Sequence, residues 1–86
     1  MTANVDEARL RRLRWRCRRG TKELDALLGW WLEQRYAGAE EASQAAFDAL
    51  LDRQDPDVWD WLMGYAVPED PRWRAIVDEI RAHHRL

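Results

Sequence analysis

Apolar residues in this chain recur at spacings of three and four almost from end to end, with no alternating run punctuated by hairpin turns. That pattern confines the chain to packed helices, because a strand would need its apolar residues at every second position. Leu10, Leu13 and Cys17 share one helical face, and Leu24, Leu27, Leu28 and Trp31 form the next stripe. Ala46, Phe47, Leu50 and Leu51 make a third inner face, and Trp73, Ile76, Val77 and Ile80 a last one.

Helix boundaries follow from local chemistry. The first helix is predicted from about Val5, with Asn4 as N-cap, Glu7 at the third helical position, and Asp6 and Glu7 near the positive pole. Gly20 is placed where a left-handed cap would stop it. The second helix is predicted over 21–36 with Thr21 as N-cap, and the third over 40–53. Asp55-Pro56 and Asp70-Pro71 each read as an N-cap carboxylate before a proline at the first helical position. The fourth helix ends near Met63-Gly64, and the fifth frays into His83-His84-Arg85-Leu86. The expected fold is all-α: a small five-helix bundle forming a single domain over residues 1–86.

A chain of 86 residues has room for one core. Six Trp, two Tyr and one Phe supply it, since each large ring buries about 150–250 Å². Trp31 and Trp73 are expected inside. Trp59 and Trp61 stand about 200° apart on a helix and cannot face the same way. The lone Cys17 is read as a small core hydrophobe, and His83 and His84 as solvated residues in the last turn. Their spacing matches no recognised metal site, so no metal is expected. No apolar run approaches the roughly 18 residues of a membrane span, and the residues before the first helix are too few for a signal peptide. The expectation is a cytoplasmic protein that does not insert into a membrane.

Charge is segregated along the chain. From Arg9 to Lys22 there are seven Arg and one Lys with no Asp or Glu, and from Glu23 onward fourteen acidic residues face six basic ones. A charge run is usually a solvated helix face. Here, however, Arg12, Arg16 and Arg19 fall on one predicted stripe, with Arg11, Trp15 and Arg18 beside it. An aromatic ring among guanidinium groups resembles the composition of protein interfaces. Such groups also hold phosphates and bases. The net charge of −2 and pI near 5.6 favour a protein partner with an acidic face over a nucleic acid. Arg19 is read as exposed, near-neutral for stability, and able to pair across the turn with Glu23 in the first turn of the second helix. Signatures of catalysis are missing: there is no phosphate loop, no Ser or Cys beside a convincing base, and no zinc-protease helix.

Arg18-Arg19-Gly20-x-x-Glu23-Leu24-Asp25, preceded by Trp15-x-Cys17, resembles the signature of the succinate dehydrogenase flavinylation factors, the RGxxE proteins of bacteria and mitochondria. Asp55-Pro56-Asp57 with Trp61-Leu62-Met63 resembles the family's later helix. The likeness covers Arg12 to Met63. It implies a small helical assembly factor, not an enzyme, in the cytoplasm of a bacterium. Such a factor binds the flavoprotein subunit of succinate dehydrogenase, and often of fumarate reductase, and promotes covalent attachment of FAD. The cofactor then belongs to the client, and this chain binds none stably.

By position, the resemblance makes Arg19, Gly20 and Glu23 the partner-binding motif, with Arg18, Trp15 and Arg12 as neighbours. Arg16 is added from the helical wheel. A monomer engaging one client is expected. Two other readings stay open: an antitoxin-like regulatory partner of a small membrane-associated protein, and, further behind, a helical nucleic-acid module.

Overall fold

The computed structural model describes residues 7–86, so the predicted start at Val5 and its Asn4 and Asp6 contributions lie outside the described residues. Five α-helices follow one another: α1 (Glu7–Arg16), α2 (Lys22–Trp31), α3 (Glu41–Leu50), α4 (Asp55–Met63) and α5 (Pro71–His84). α2 runs on into a π-helical turn, Leu32–Tyr36. No residue in 7–86 is in a strand, and no helix of the described residues is long and apolar enough to cross a membrane.

Most residues of the predicted stripes form one buried cluster, with Leu10 and Trp73 packed against it. Leu13, Cys17, Leu24, Leu28, Phe47, Leu50, Val58, Leu62 and Ile80 are all within it. α5 packs against α2, α3 and α4 and so joins these three helices. Trp31 stacks on Phe47 with ring centroids 4.8 Å apart. Trp61 is buried while Trp59 is only partly so, as their wheel positions require. Trp73, expected inside, is half-buried instead: its indole Nε1–H must reach the Ala46 carbonyl at 2.8 Å, which draws the ring to the edge of the core.

Several boundaries differ from those the sequence predicts. α1 ends at Arg16, not at Gly20, and Cys17–Thr21 is an irregular connection. The π turn widens the helix so that Trp31 and Tyr36, five residues apart, come together edge to face. Gln44, a buried amide in α3, donates to the Tyr36 carbonyl at 2.7 Å and so satisfies the end of that turn. α3 stops at Leu50, three residues early. α4 begins with Asp55 itself, Gln54 being the cap residue, because the Asp55 carboxylate is engaged elsewhere.

Other signals hold as read. Thr21 accepts from the Leu24 N–H at 3.2 Å, and Asp70 from the Arg72 N–H at 2.8 Å. Gly64, at φ +82°, ends α4 with the paired bonds of a Schellman motif, Tyr65 N–H to Asp60 C=O and Gly64 N–H to Trp61 C=O. His83 and His84 are not simply solvated: α5 stays helical to His84, and His83 stacks on Trp30 at 4.2 Å.

Candidate functional site

The basic run divides into an inner and an outer set. α1 lies along the acidic later helices, and the arginines on that side are consumed in holding it there. Arg9 donates to the Tyr36 hydroxyl at 2.7 Å and pairs with Asp48 at 3.5 Å. Arg14 pairs with Glu33 at 2.6 Å. Arg16 pairs with Asp52 at 2.6 Å and donates to the Asp48 carbonyl at 3.0 Å. The charge segregation is therefore partly a requirement of the fold, which corrects the expectation that it serves docking alone. A cation-rich first helix finds its partners on helices made acidic to receive it, although each exposed pair adds only about 0–1 kcal/mol.

Arg11, Arg12 and Lys22 remain exposed and make no ion pair with the described residues. Trp15, 72% exposed, stands beside Arg11 and Arg12. Arg18 lies over its ring, 5.9 Å from the centroid. The predicted grouping of Arg12, Trp15 and Arg18 is thus brought together on one open face. Arg16, predicted with them, is turned toward α3.

Arg19 departs most from expectation. Its side chain is only 12% exposed and does not pair with Glu23. Because α1 has already ended, the chain turns and carries this guanidinium under the α3–α4 connection. There Nε donates to Asp55 Oδ1 at 2.8 Å, one Nη to the Leu51 carbonyl at 2.6 Å, and the other Nη to the Arg53 carbonyl. A further contact reaches back to the Arg16 carbonyl at 3.3 Å. The Leu51 and Arg53 carbonyls follow the last turn of α3, where orphan acceptors collect and a cation is favoured. The planar fork of Arg suits this cluster as no ammonium could. Its own backbone N–H donates to Asp25 Oδ1 in the first turn of α2.

Gly20, beside it, has φ +95°, and a Cβ built there would meet no atom within 4 Å. The glycine is required by the backbone, and the space above it is open. Glu23 is exposed and makes no ion pair or hydrogen bond with the described residues. Asp25 and Asp55, which hold Arg19, are not among the residues the sequence singled out for the candidate site. Both stood in the sequence blocks singled out above, but local pattern assigned Asp55 to a helix cap and Asp25 to no role.

Cys17, directly before the motif, is buried, and that burial pushes its thiol up to about 12. It is packing material and not a nucleophile at neutral pH. Among the described residues no group of three His, Cys, Asp or Glu side chains is placed to hold a metal ion.

Residues 11–84 match the family described as "Flavinator of succinate dehydrogenase". The chain is 47% identical over 79 residues to the FAD assembly factor SdhE of Xylella fastidiosa strain 9a5c, covering 91% of this chain and 81% of that protein. The protein of the same name from Methylococcus capsulatus is 45% identical, with 83% and 86% covered. That from Coxiella burnetii is 37% identical, with 83% and 87% covered.

Proposed function

The chain belongs to the family of flavinators of succinate dehydrogenase, and from that premise we propose that it docks on the flavoprotein subunit of that enzyme and promotes covalent attachment of FAD. The observation that carries the reading is the turn at Gly20. A glycine with open space above it, and an exposed Glu23 carboxylate without a partner among the described residues, follow in the chain on an open face of Arg11, Arg12, Trp15 and Arg18. The bare backbone permits close approach of another surface. The exposed ring and cations suit an acidic, partly apolar one.

The groups that make the bond, a client histidine and the 8α-methyl carbon of the flavin, stay with the client, as does the FAD. This chain contributes binding energy that holds the client in a geometry favouring the bond. In that division Gly20, Glu23, Trp15, Arg12 and Arg18 meet the client, while Arg16 and Arg19 hold this segment to the α3–α4 region. The flavoprotein subunit of fumarate reductase is a second client, and the factor acts as a cytoplasmic monomer.

The direct test is deletion of the gene followed by in-gel flavin fluorescence of the denatured flavoprotein subunit. The band should fade and return when this chain is supplied again. Undiminished covalent flavin in the deletion strain would overturn the reading.

A further inference from the structure

Resting on that reading, we propose that Asp55 and Asp25 are positioning residues for the docking turn, acting through the side chain and the backbone N–H of Arg19. The stretch from Arg19 to Thr21, which leads into the first turn of α2, has no regular structure of its own. α1 ends three residues before it, and α2 starts only at Lys22. Such a segment would sample many conformations unless held, and docking would then bear the cost of ordering it.

It is held at three points. Asp25 takes the Arg19 N–H, Thr21 Oγ takes the Leu24 N–H, and Asp55 with two carbonyls takes the Arg19 guanidinium. None of the three anchors uses Gly20 or the Glu23 side chain. Gly20 at its left-handed φ and the exposed Glu23 are what remain facing out.

This arrangement also gives the two sequence blocks a common purpose. They are 36 residues apart, and the Arg19–Asp55 bond is where they meet. Asp55 forgoes the N-cap role that its place before Pro56 would offer, and Gln54 occupies the cap without a side-chain bond. The carboxylate is thereby available to Arg19. In the RGxxE motif, then, the arginine is a strut and the glycine and glutamate are the face it supports.

A double-mutant cycle on affinity for the purified flavoprotein subunit of succinate dehydrogenase tests this. Arg19→Ala and Asp55→Ala should each weaken binding by about tenfold, and the double variant by little more than the worse single one, because each removes the same strut. Asp55→Asn, which keeps an acceptor oxygen, should fall between Asp55→Ala and wild type. Losses that multiply to about a hundredfold would mean that Arg19 meets the client independently of Asp55 and would overturn the proposal. Ile76→Val, a core change remote from the turn, controls for general loss of stability and should bind as wild type. If it weakens binding as much as Asp55→Ala does, the effect is not positional and the proposal fails.

Amide exchange is a second readout that needs no client. Asp55→Ala and Asp25→Ala should speed exchange of the Arg19 and Leu24 amides, which the anchors hold, well before the core amides respond. Unchanged protection there sinks the strut, whereas failure of the wild-type chain to bind the subunit sinks the functional reading alone.

Discussion

The Tyr36 hydroxyl donates to Asp48 Oδ1 at 3.0 Å while accepting from Arg9 at 2.7 Å, so one phenol at the floor of the core joins the π turn to both α3 and α1. The ring is fully buried against Trp31 and Phe47. Tyr36→Phe keeps the packing and removes the bridge. Because it strips a partner from a charged acceptor, a loss of about 1.5–3 kcal/mol is expected in chemical denaturation. A change below about 0.5 kcal/mol would show that the bridge contributes only geometry.

The same phenol sets an alkaline limit. Burial, with Asp48 adding to it, pushes Tyr36 from its ordinary value of 10.0 up to about 12, and burial pushes Cys17 from 9.0 to about 12. Both folded values are raised, so the folded state holds these protons more tightly than the unfolded chain. Their contribution to stability is complete below pH 9 and is lost as pH climbs through 12. Denaturant midpoints should therefore decline above pH 9. Tyr36→Phe combined with Cys17→Ala should flatten that decline, and a slope unchanged in the pair would assign the alkaline loss to other groups.

Cys17 should also be silent toward thiol reagents in the native state. At pH 8 a disulfide probe should label it only at the rate of unfolding, and fully in denaturant. Rapid native labelling would mean that the α1–α2 connection opens readily.

Arg19 and Glu23 should separate cleanly. From the sequence, Arg19 is expected to be exposed and near-neutral for stability. The buried fork of Arg19 changes that expectation. Arg19→Ala leaves Asp55 and two carbonyls without a charged donor and should cost about 1.5–3 kcal/mol. Glu23→Ala should shift stability by no more than about 0.5 kcal/mol. Both should reduce client flavinylation, which melting curves and in-gel fluorescence on the same preparations would show. Full flavinylation with Glu23→Ala would remove that carboxylate from the docking face.

Gly20 offers a finer division. At φ +95° any Cβ costs roughly 1–2 kcal/mol, although it clashes with nothing within 4 Å. Gly20→Ala and Gly20→Arg should therefore melt at similar temperatures, whereas only Gly20→Arg should abolish client binding, by filling the space above the turn. Equal binding by the two would place the contact surface elsewhere.

Local chemistry in the sequence was enough to specify the helical class, the core stripes, and the boundaries at Thr21, Gly64 and Asp70-Pro71. Each depends on side chains within about four residues of one another, and such interactions operate whatever the rest of the chain does. The motif at 19–23 was legible too, by resemblance, as was the open face of Arg12, Trp15 and Arg18. Tertiary structure alone decided which arginines face out. Arg16 and Arg19 share a predicted stripe with Arg12, yet they pair within the chain because Asp52 and Asp55, 36 residues downstream of each, lie within reach. The π turn at Leu32–Tyr36 and the stacking of His83 on Trp30 belong to the same class. A guanidinium can satisfy its donors in water or on carbonyls that another helix leaves bare, and the spacing of letters near it carries no sign of which. That choice is made when α3 stops at Leu50 and exposes its last acceptors beside the place where α1 ends.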